Sequence, residues 1–287
     1  MDMKQLPING GTAVYGVFGD PVAHSLSPAM HNAAFAELKL NCVYLPFHVS
    51  LASLPEAVRG IRGLGIKGIN LTIPLKQAVL PELDEIFGDS LQSGSVNTII
   101  NRDGRLLGTS TDGSGFIQSL REEGGFDPCG KNIALLGAGG SAAALVYRLI
   151  AANIRSLTVL NRDPRRLREL YDQVRGRTGF ELVAVPLAEM EKLDWNGFDL
   201  LVNTTSVGLH TDESLVPPKF LRESLFVYDL VYRKGGTRLV NEAGRAGCRV
   251  LSGLSLLLYQ GAQSFTFWFE REAPLARMRR ALAESQA

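Results

Sequence analysis

Residues 70–76, NLTIPLK, alternate polar and apolar side chains: Asn70, Thr72, Pro74 and Lys76 against Leu71, Ile73 and Leu75. In an extended chain successive side chains point to opposite faces. The spacing therefore predicts a strand whose apolar face anchors it in a sheet. The other face presents an amide, a hydroxyl and, at the strand's end, an amine. A lysine in that position is an acid/base candidate if a carboxylate stands beside it, because nearby charge and burial tune both groups. Asp112 in GTSTDGSG is that carboxylate, at the expected junction of two domains, where clefts commonly form. Taken alone, TDG also fits a turn or helix cap, and Lys76 a solvated strand end. Asn97 in GSVNTII lies within an apolar run, where an unpaired buried amide costs about 1–3 kcal/mol, so it needs a partner, either backbone or ligand. Thr111 precedes Asp112. Ser25 and Ser27, spaced by one residue on a loop, suit a ligand carboxylate or hydroxyl, and Ser27 equally suits a helix cap.

A second chemistry is written at IALLGAGGSAA. Gly137, Gly139 and Ala142 form G-x-G-x-x-A directly after an apolar strand and at the start of a helix, the context a dinucleotide turn requires. The first glycine permits the tight turn and the second lets the backbone approach a pyrophosphate. The small third residue lets helix and strand pack closely, and the helix N-terminus offers free N–H groups to phosphate. The next strand ends in Asn161-Arg162. An acidic residue there would take the ribose 2′-hydroxyl of NAD, whereas an arginine suits the 2′-phosphate of NADP. Arg165 and Arg166 add charge or are merely solvated, and Asp163 opposes a phosphate. The balance favours NADP, with NAD possible.

These residues need elements to hold them. TAVYGVFG, NCVYLPFHV and KGINLTIPL read as strands; SPAMHNAAFAELKL, with Ser27 as cap and Pro28 at the first helical position, and LPEAVRGIRGLG read as helices. SVNTIINRDGRLLGTST reads as a hairpin about Asp103-Gly104. The expected fold is α/β: a mostly parallel sheet with one antiparallel piece, followed by a second α/β pattern from NIALLG to CRVLS, with two helices at the end. The expected domains are 1–112, with helices 254–287 packing back on it, and 113–253. The length of 287 residues agrees with two domains. A net charge of +1 leaves no electrostatic footprint for nucleic acid or an anionic membrane. The start, MDMKQLPING, lacks a signal peptide's basic and apolar regions. Three separated cysteines and four histidines without ligand spacing point to a reducing cytoplasm and no metal.

In order and along nearly the whole chain, GDPVAHSLSPAMHNAAF, GINLTIPLK, GSVNTI, GTSTDGSG, LLGAGGSA, LNRDPRR, VNTTSVGL, YDLVY and SGLSLLLYQGAQSF resemble the shikimate/quinate dehydrogenase family. The resemblance implies reversible reduction of 3-dehydroshikimate to shikimate with NADPH, on the route to chorismate and the aromatic amino acids. It implies a substrate-binding domain, a Rossmann-type dinucleotide domain and an active-site cleft between them. It makes Lys76 and Asp112 the catalytic pair. Ser25 and Ser27 would hold the substrate carboxylate, Asn70, Thr72, Asn97 and Gln260 the ring oxygens, with Tyr232 near the substrate. The dinucleotide would lie on Gly137, Ala138, Gly139, Gly140, Ser141, Asn161, Arg162, Asp163, Arg166 and Gly253. A cytoplasmic monomer or homodimer is expected, with a small-molecule substrate as its partner. This chain departs from the family's common residues at Asp163 (Thr), Ser110 (Asn) and Ser255 (Gly), and YRKGGT lacks the common proline after Tyr232. Two rivals stand beside this reading. One is a quinate or dual-specificity dehydrogenase using NAD. The other is a non-catalytic dinucleotide sensor, which would have no use for the Lys76 and Asp112 that are present.

Overall fold

The computed structural model describes residues 8–286, so most of the segment read for a leader lies outside the described residues. The chain divides into two compact units. One takes the chain up to Gly115 together with everything from Leu257 on; the other is Phe116–Leu256. The divisions fall three residues beyond positions 112 and 253, inside two helices, α5 (Asp112–Glu122) and α9 (Gly253–Phe269).

In the first unit the order is β1 (Ala13–Gly19), α1 (Ser27–Glu37), β2 (Cys42–His48), α2 (Leu54–Gly63), β3 (Gly68–Leu71), α3 (Leu75–Ala78), β4 (Glu85–Ile86), α4 (Ser90–Ser93), β5 (Thr98–Arg102) and β6 (Arg105–Thr109). The tail adds most of α9 and α10 (Leu275–Gln286). The sheet runs β2-β1-β3-β5-β6-β4, and only β5 opposes its neighbours. Alternation along β1 sorts its side chains. Tyr15 and Val17 join Met30, Phe35, Tyr259, Phe265 and Met278 beneath α1, α9 and α10. Phe18 joins Val58, Ile61, Ile69, Leu71 and Leu75 on the α2 side. Burial on both faces explains why these strands read as apolar runs.

Two local expectations are corrected. The strand predicted over NLTIPLK stops at Leu71. Thr72 turns the chain, its carbonyl accepting from the Leu75 N–H at 2.9 Å, and Lys76 sits in the one-turn helix α3. Leu71 and Leu75 are buried as expected, but Ile73 is 56% exposed. At α1 the cap position falls on Leu26, so Ser27 is the first helical residue and caps nothing; its N–H instead donates to Ser25 Oγ at 3.3 Å.

The second unit comprises β7 (Asn132–Leu136), α6 (Gly140–Ala151), β8 (Ser156–Asn161), α7 (Pro164–Thr178), β9 (Val183–Pro186), β10 (Leu200–Asn203), β11 (Phe226–Asp229), α8 (Arg238–Arg245) and β12 (Arg249–Ser252). Its strands are all parallel in the order β9-β8-β7-β10-β11-β12. This is the doubly wound 3-2-1-4-5-6 arrangement, and the strand order reverses between β7 and β10. Ile133 and Leu135 face one core, Ala134 and Leu136 the other. The edge strand β9 escaped the sequence reading because Val185 alone of its residues is buried. No helix among the described residues is long and apolar enough to cross a membrane.

His31 on α1 is fully buried, and its ring stacks on Tyr44 at 4.5 Å. Neither ring nitrogen finds a hydrogen-bond partner among the described residues. Burial disfavours the imidazolium and pushes the pKa from 6.5 down to about 3. The unfolded chain therefore binds a proton between pH 6.5 and 3 that the native chain refuses. The stability linked to this site is intact above pH 6.5 and falls as pH drops below it. Between pH 7.5 and 5 this site alone removes about 2 kcal/mol, so denaturant titrations of His31→Phe should show a pH dependence shallower by that amount. Identical pH dependence in the two proteins would contradict it.

Candidate active site

The centre of the first unit is an ion pair. Lys76 Nζ donates to Asp112 Oδ2 at 2.6 Å, with the two side chains 15% and 5% exposed. Leu75, wholly buried, roots α3, and the Lys76 carbonyl accepts from the Val96 N–H at 2.8 Å. Lysine is thereby held by its own backbone to the segment that carries Asn97. Asp112 is the first residue of α5. An ammonium has three donors, and Asp112 takes one; the others meet no acceptor among the described residues.

Asn97 joins this pair to the rest of the unit. Its Nδ2 faces Asp112 Oδ1 at 2.9 Å, Thr111 Oγ1 at 2.9 Å and Gln260 Oε1 at 3.1 Å. Its Oδ1 accepts from the Thr111 N–H at 2.9 Å and Thr98 Oγ1 at 2.9 Å. Gln260 comes from α9, which approaches closely because residue 115 is glycine: a Cβ there would lie 2.7 Å from the Gln260 nitrogen. Gln260 Nε2 also donates to the Leu257 carbonyl at 2.9 Å, leaving one N–H free to bond elsewhere.

Asn70 is engaged within the unit at both ends of its amide. It is 5% exposed, and its Nδ2 faces the Asn97 carbonyl, Thr98 Oγ1 and Ser264 Oγ at 3.0, 3.2 and 3.0 Å. Its Oδ1 accepts from Tyr44 Oη at 2.8 Å. Ser264, Thr98 and Tyr44 were not singled out from the sequence. Ser264 was accessible to it, since it stands four residues after Gln260 on the same helix face.

Ser25 and Ser27 follow β1, and Thr72 follows β3. Ser27 Oγ and Thr72 Oγ1 have no hydrogen bond among the described residues, so both hydroxyls are available to a ligand. Gly19 makes room for Thr72, whose Cγ2 stands where a Cβ on residue 19 would be. Among the described residues no cluster of His, Cys, Asp and Glu could hold a metal.

In the second unit Gly137 leaves β7 with φ +108°, and a Cβ there would strike Thr204 Oγ1. Both the turn and the close approach demand glycine. Gly139 caps α6 without a side-chain bond, nothing lies within 4 Å of where its Cβ would be, and the first turn of α6 carries no acid. That leaves N–H groups and open space at a positive helix end, which fits a dinucleotide pyrophosphate carried by Gly137, Ala138, Gly139, Gly140 and Ser141. Ala142, fully buried, sits in the helix–strand contact.

At the end of β8, Asn161 Nδ2 donates to the Asp163 carbonyl at 3.0 Å. Asp163 does not present a bare charge. Its Oδ1 accepts from the Arg165 N–H at 2.9 Å as the N-cap of α7. That bond, and then the charges of Arg165 and Arg166, hold its carboxyl below the usual carboxylate range. The guanidinium groups of Arg162 and Arg166 have no ion-pair partner among the described residues. Gly253 opens α9 against the Leu230 carbonyl, where a Cβ cannot fit, and Tyr232 lies on the loop after β11.

Comparison with known proteins finds matches along most of the chain. Residues 17–99 match the shikimate dehydrogenase substrate binding domain, 123–212 the shikimate / quinate 5-dehydrogenase family, and 253–283 the shikimate 5'-dehydrogenase C-terminal domain. A shikimate dehydrogenase (NADP+) of Moorella thermoacetica is 44% identical over 283 residues, 98% of this chain and 96% of that protein. A crystal structure of a shikimate dehydrogenase in complex with NADP+ superposes with a TM-score of 0.92 at 35% identity, covering 99% of each chain. The Thermus thermophilus shikimate 5-dehydrogenase in complex with NADP(H) and shikimate gives 0.84 at 36% identity, over 95% of this chain and 99% of that one.

If Asn97 is the hub of the ion-pair cluster, Asn97→Ala strands Asp112 Oδ1 and the Thr111 N–H. The urea midpoint should then drop by the equivalent of about 2–3 kcal/mol. A midpoint unchanged from that of the wild type would remove Asn97 from this role.

Proposed function

The chain belongs to the shikimate dehydrogenase family, and we propose that it interconverts 3-dehydroshikimate and shikimate with NADP(H) through Lys76 and Asp112. It is an NADP-dependent oxidoreductase acting on a CH–OH group, on the path to the aromatic amino acids. The observation that carries the proposed roles is the 2.6 Å Lys76–Asp112 pair, braced through Asn97. We assign the substrate to the first unit and the dinucleotide to the second.

NADPH, when bound, supplies the hydride that reduces the C3 keto carbon. Negative charge grows on the keto oxygen as this happens, and Lys76, with donors left over from Asp112, stabilises that charge and delivers the proton. In the reverse direction it receives the proton from the hydroxyl. Asp112 orients the ammonium and bonds a neighbouring ring hydroxyl. Electrostatic stabilisation and proton transfer of this kind are each worth roughly 10²–10⁴-fold.

Ser25 and Ser27 bind the substrate carboxylate; the unoccupied hydroxyl of Ser27 supports this. Thr72 and Gln260 bind ring oxygens, Asn97, whose amide atoms are engaged within the unit, holds Asp112 beside them, and Tyr232 keeps the family's substrate contact. Asn70, all of whose polar atoms are engaged, braces Asn97 from behind. Gly137 to Ser141 and Gly253 hold the dinucleotide. Asn161 shapes the turn from which Arg162 and Arg166 take the 2′-phosphate. The mechanism draws on no residue from a second copy, so it serves a cytoplasmic monomer or a homodimer alike.

The second reading, quinate oxidation with NAD, is favoured by one observation: an acid, Asp163, lies two residues past the end of β8, close to the strand end at which NAD-binding proteins hold the ribose 2′-hydroxyl. Against it, that carboxylate is already committed to the Arg165 N–H. Oxidation assays with shikimate and quinate, each with NADP and NAD, separate the two, and preference for quinate with NAD would overturn the first. Arg162→Ala should raise KM for NADP roughly 10–100-fold and leave NAD kinetics nearly unchanged, as expected for loss of a charge-assisted bond. Lys76→Ala should lower kcat by at least about 10²-fold with little change in shikimate KM. A near-normal kcat in that variant would sink the assignment.

A further inference from the structure

Asp229 ends β11 in VYDLVY and is wholly buried. A buried carboxylate ordinarily requires a cation, yet Asp229 has no ion pair among the described residues; neutral donors surround it instead. Its Oδ1 accepts from Asn203 Nδ2 at 2.8 Å and the Val231 N–H at 3.1 Å, and its Oδ2 from Thr237 Oγ1 at 2.5 Å. Burial pushes its pKa up, and these three bonds act in the opposite direction.

The donors come from three segments. Asn203 ends the neighbouring strand β10, and its Oδ1 accepts from the N–H and Oγ1 of Thr205 at 3.1 and 2.7 Å. Thr204, between them, donates its hydroxyl to the Leu136 carbonyl at 2.7 Å and lies against Gly137. Val231 opens the loop to Tyr232, and its carbonyl accepts from the Gly253 N–H at 3.4 Å. Thr237 caps α8, accepting from the Val240 N–H at 3.2 Å. One carboxylate therefore sets the register of the glycine turn, the Tyr232 loop and the start of α9, without reaching any of them directly except Val231.

We propose that Asp229 is a positioning residue for the dinucleotide: it fixes Thr204 and Thr205 against the Gly137 turn and Val231 against Gly253. The proposal rests on the reading of the second unit as the NADP(H) site. An asparagine at 229 keeps an acceptor toward Asn203 and Val231 and can donate its N–H₂ to the Thr237 hydroxyl, so the node is broken by Asp229→Ala, which removes every acceptor at this position.

The test is NADPH titration by nucleotide fluorescence, with steady-state kinetics and thermal unfolding, on Asp229→Ala, Thr237→Val and the conservative Asp229→Asn. Kd for NADPH should rise at least about tenfold in Asp229→Ala, with kcat at saturating NADPH within about threefold of wild type. Asp229→Asn, which keeps an acceptor toward Asn203 and Val231 and a donor toward the Thr237 hydroxyl, should hold Kd within about threefold of wild type. Thr237→Val should raise Kd by at least about threefold, which keeps the idea testable if Asp229→Ala fails to fold. A lower melting temperature with unaltered Kd in Asp229→Ala, or an asparagine variant as impaired as the alanine one, would overturn the proposal. A wild type that neither binds NADPH nor oxidises shikimate would refute the reading beneath it.

Discussion

A lysine and a carboxylate 2.6 Å apart, both largely withdrawn from water, form the constraint on which the first unit is organised. Withdrawing each charge costs several kcal/mol, and mutual attraction offsets that only where the remaining lone pairs are also satisfied. Asp112 Oδ2 has the ammonium and Oδ1 has Asn97. Asn97 then needs its own partners, which come from Thr111 and Gln260, and behind it Asn70, Thr98 and Ser264 close the network. The tail helix α9 is therefore part of the same electrostatic arrangement as residues 70–112, because it supplies Gln260 and Ser264 to it.

The second unit solves a different problem by leaving atoms out. Gly137 lacks the Cβ that would strike Thr204, Gly253 the one that would strike Leu230, and Gly139 the one that would enter open space at the start of α6. The result is exposed backbone N–H groups at a helix end, with the neighbouring loops held by hydroxyls and amides. The first unit's arrangement is made by what the side chains bring; here it is made by what they omit.

Much of this could be read in advance where chemistry and local spacing coincide. Gly137, Gly139 and Ala142 sit between a strand and a helix as their pattern requires, and Lys76 and Asp112 meet although 36 residues separate them. Local alternation misled at NLTIPLK, because the same polar–apolar order describes a strand and a strand that turns at Thr72 into helix. Ser27 was placed one residue early for a similar reason: Ser, Leu and Ser offer competing cap positions, and backbone geometry selects among them. The partners that hold Asn70 were not legible. Its partner Ser264 lies 194 residues away, and only the return of α9 to the first unit brings them together.

Asp163 holds two offices at once, cap of α7 and neighbour of the arginines at the end of β8. An N-cap accepts few residue types: aspartate, asparagine, serine, threonine and, less well, glycine, with alanine costing about 1 kcal/mol. Any change of charge at residue 163 must therefore pass through this short alphabet or weaken the helix. The range of residues this position can explore is thus bounded by helix stability before any ligand is considered.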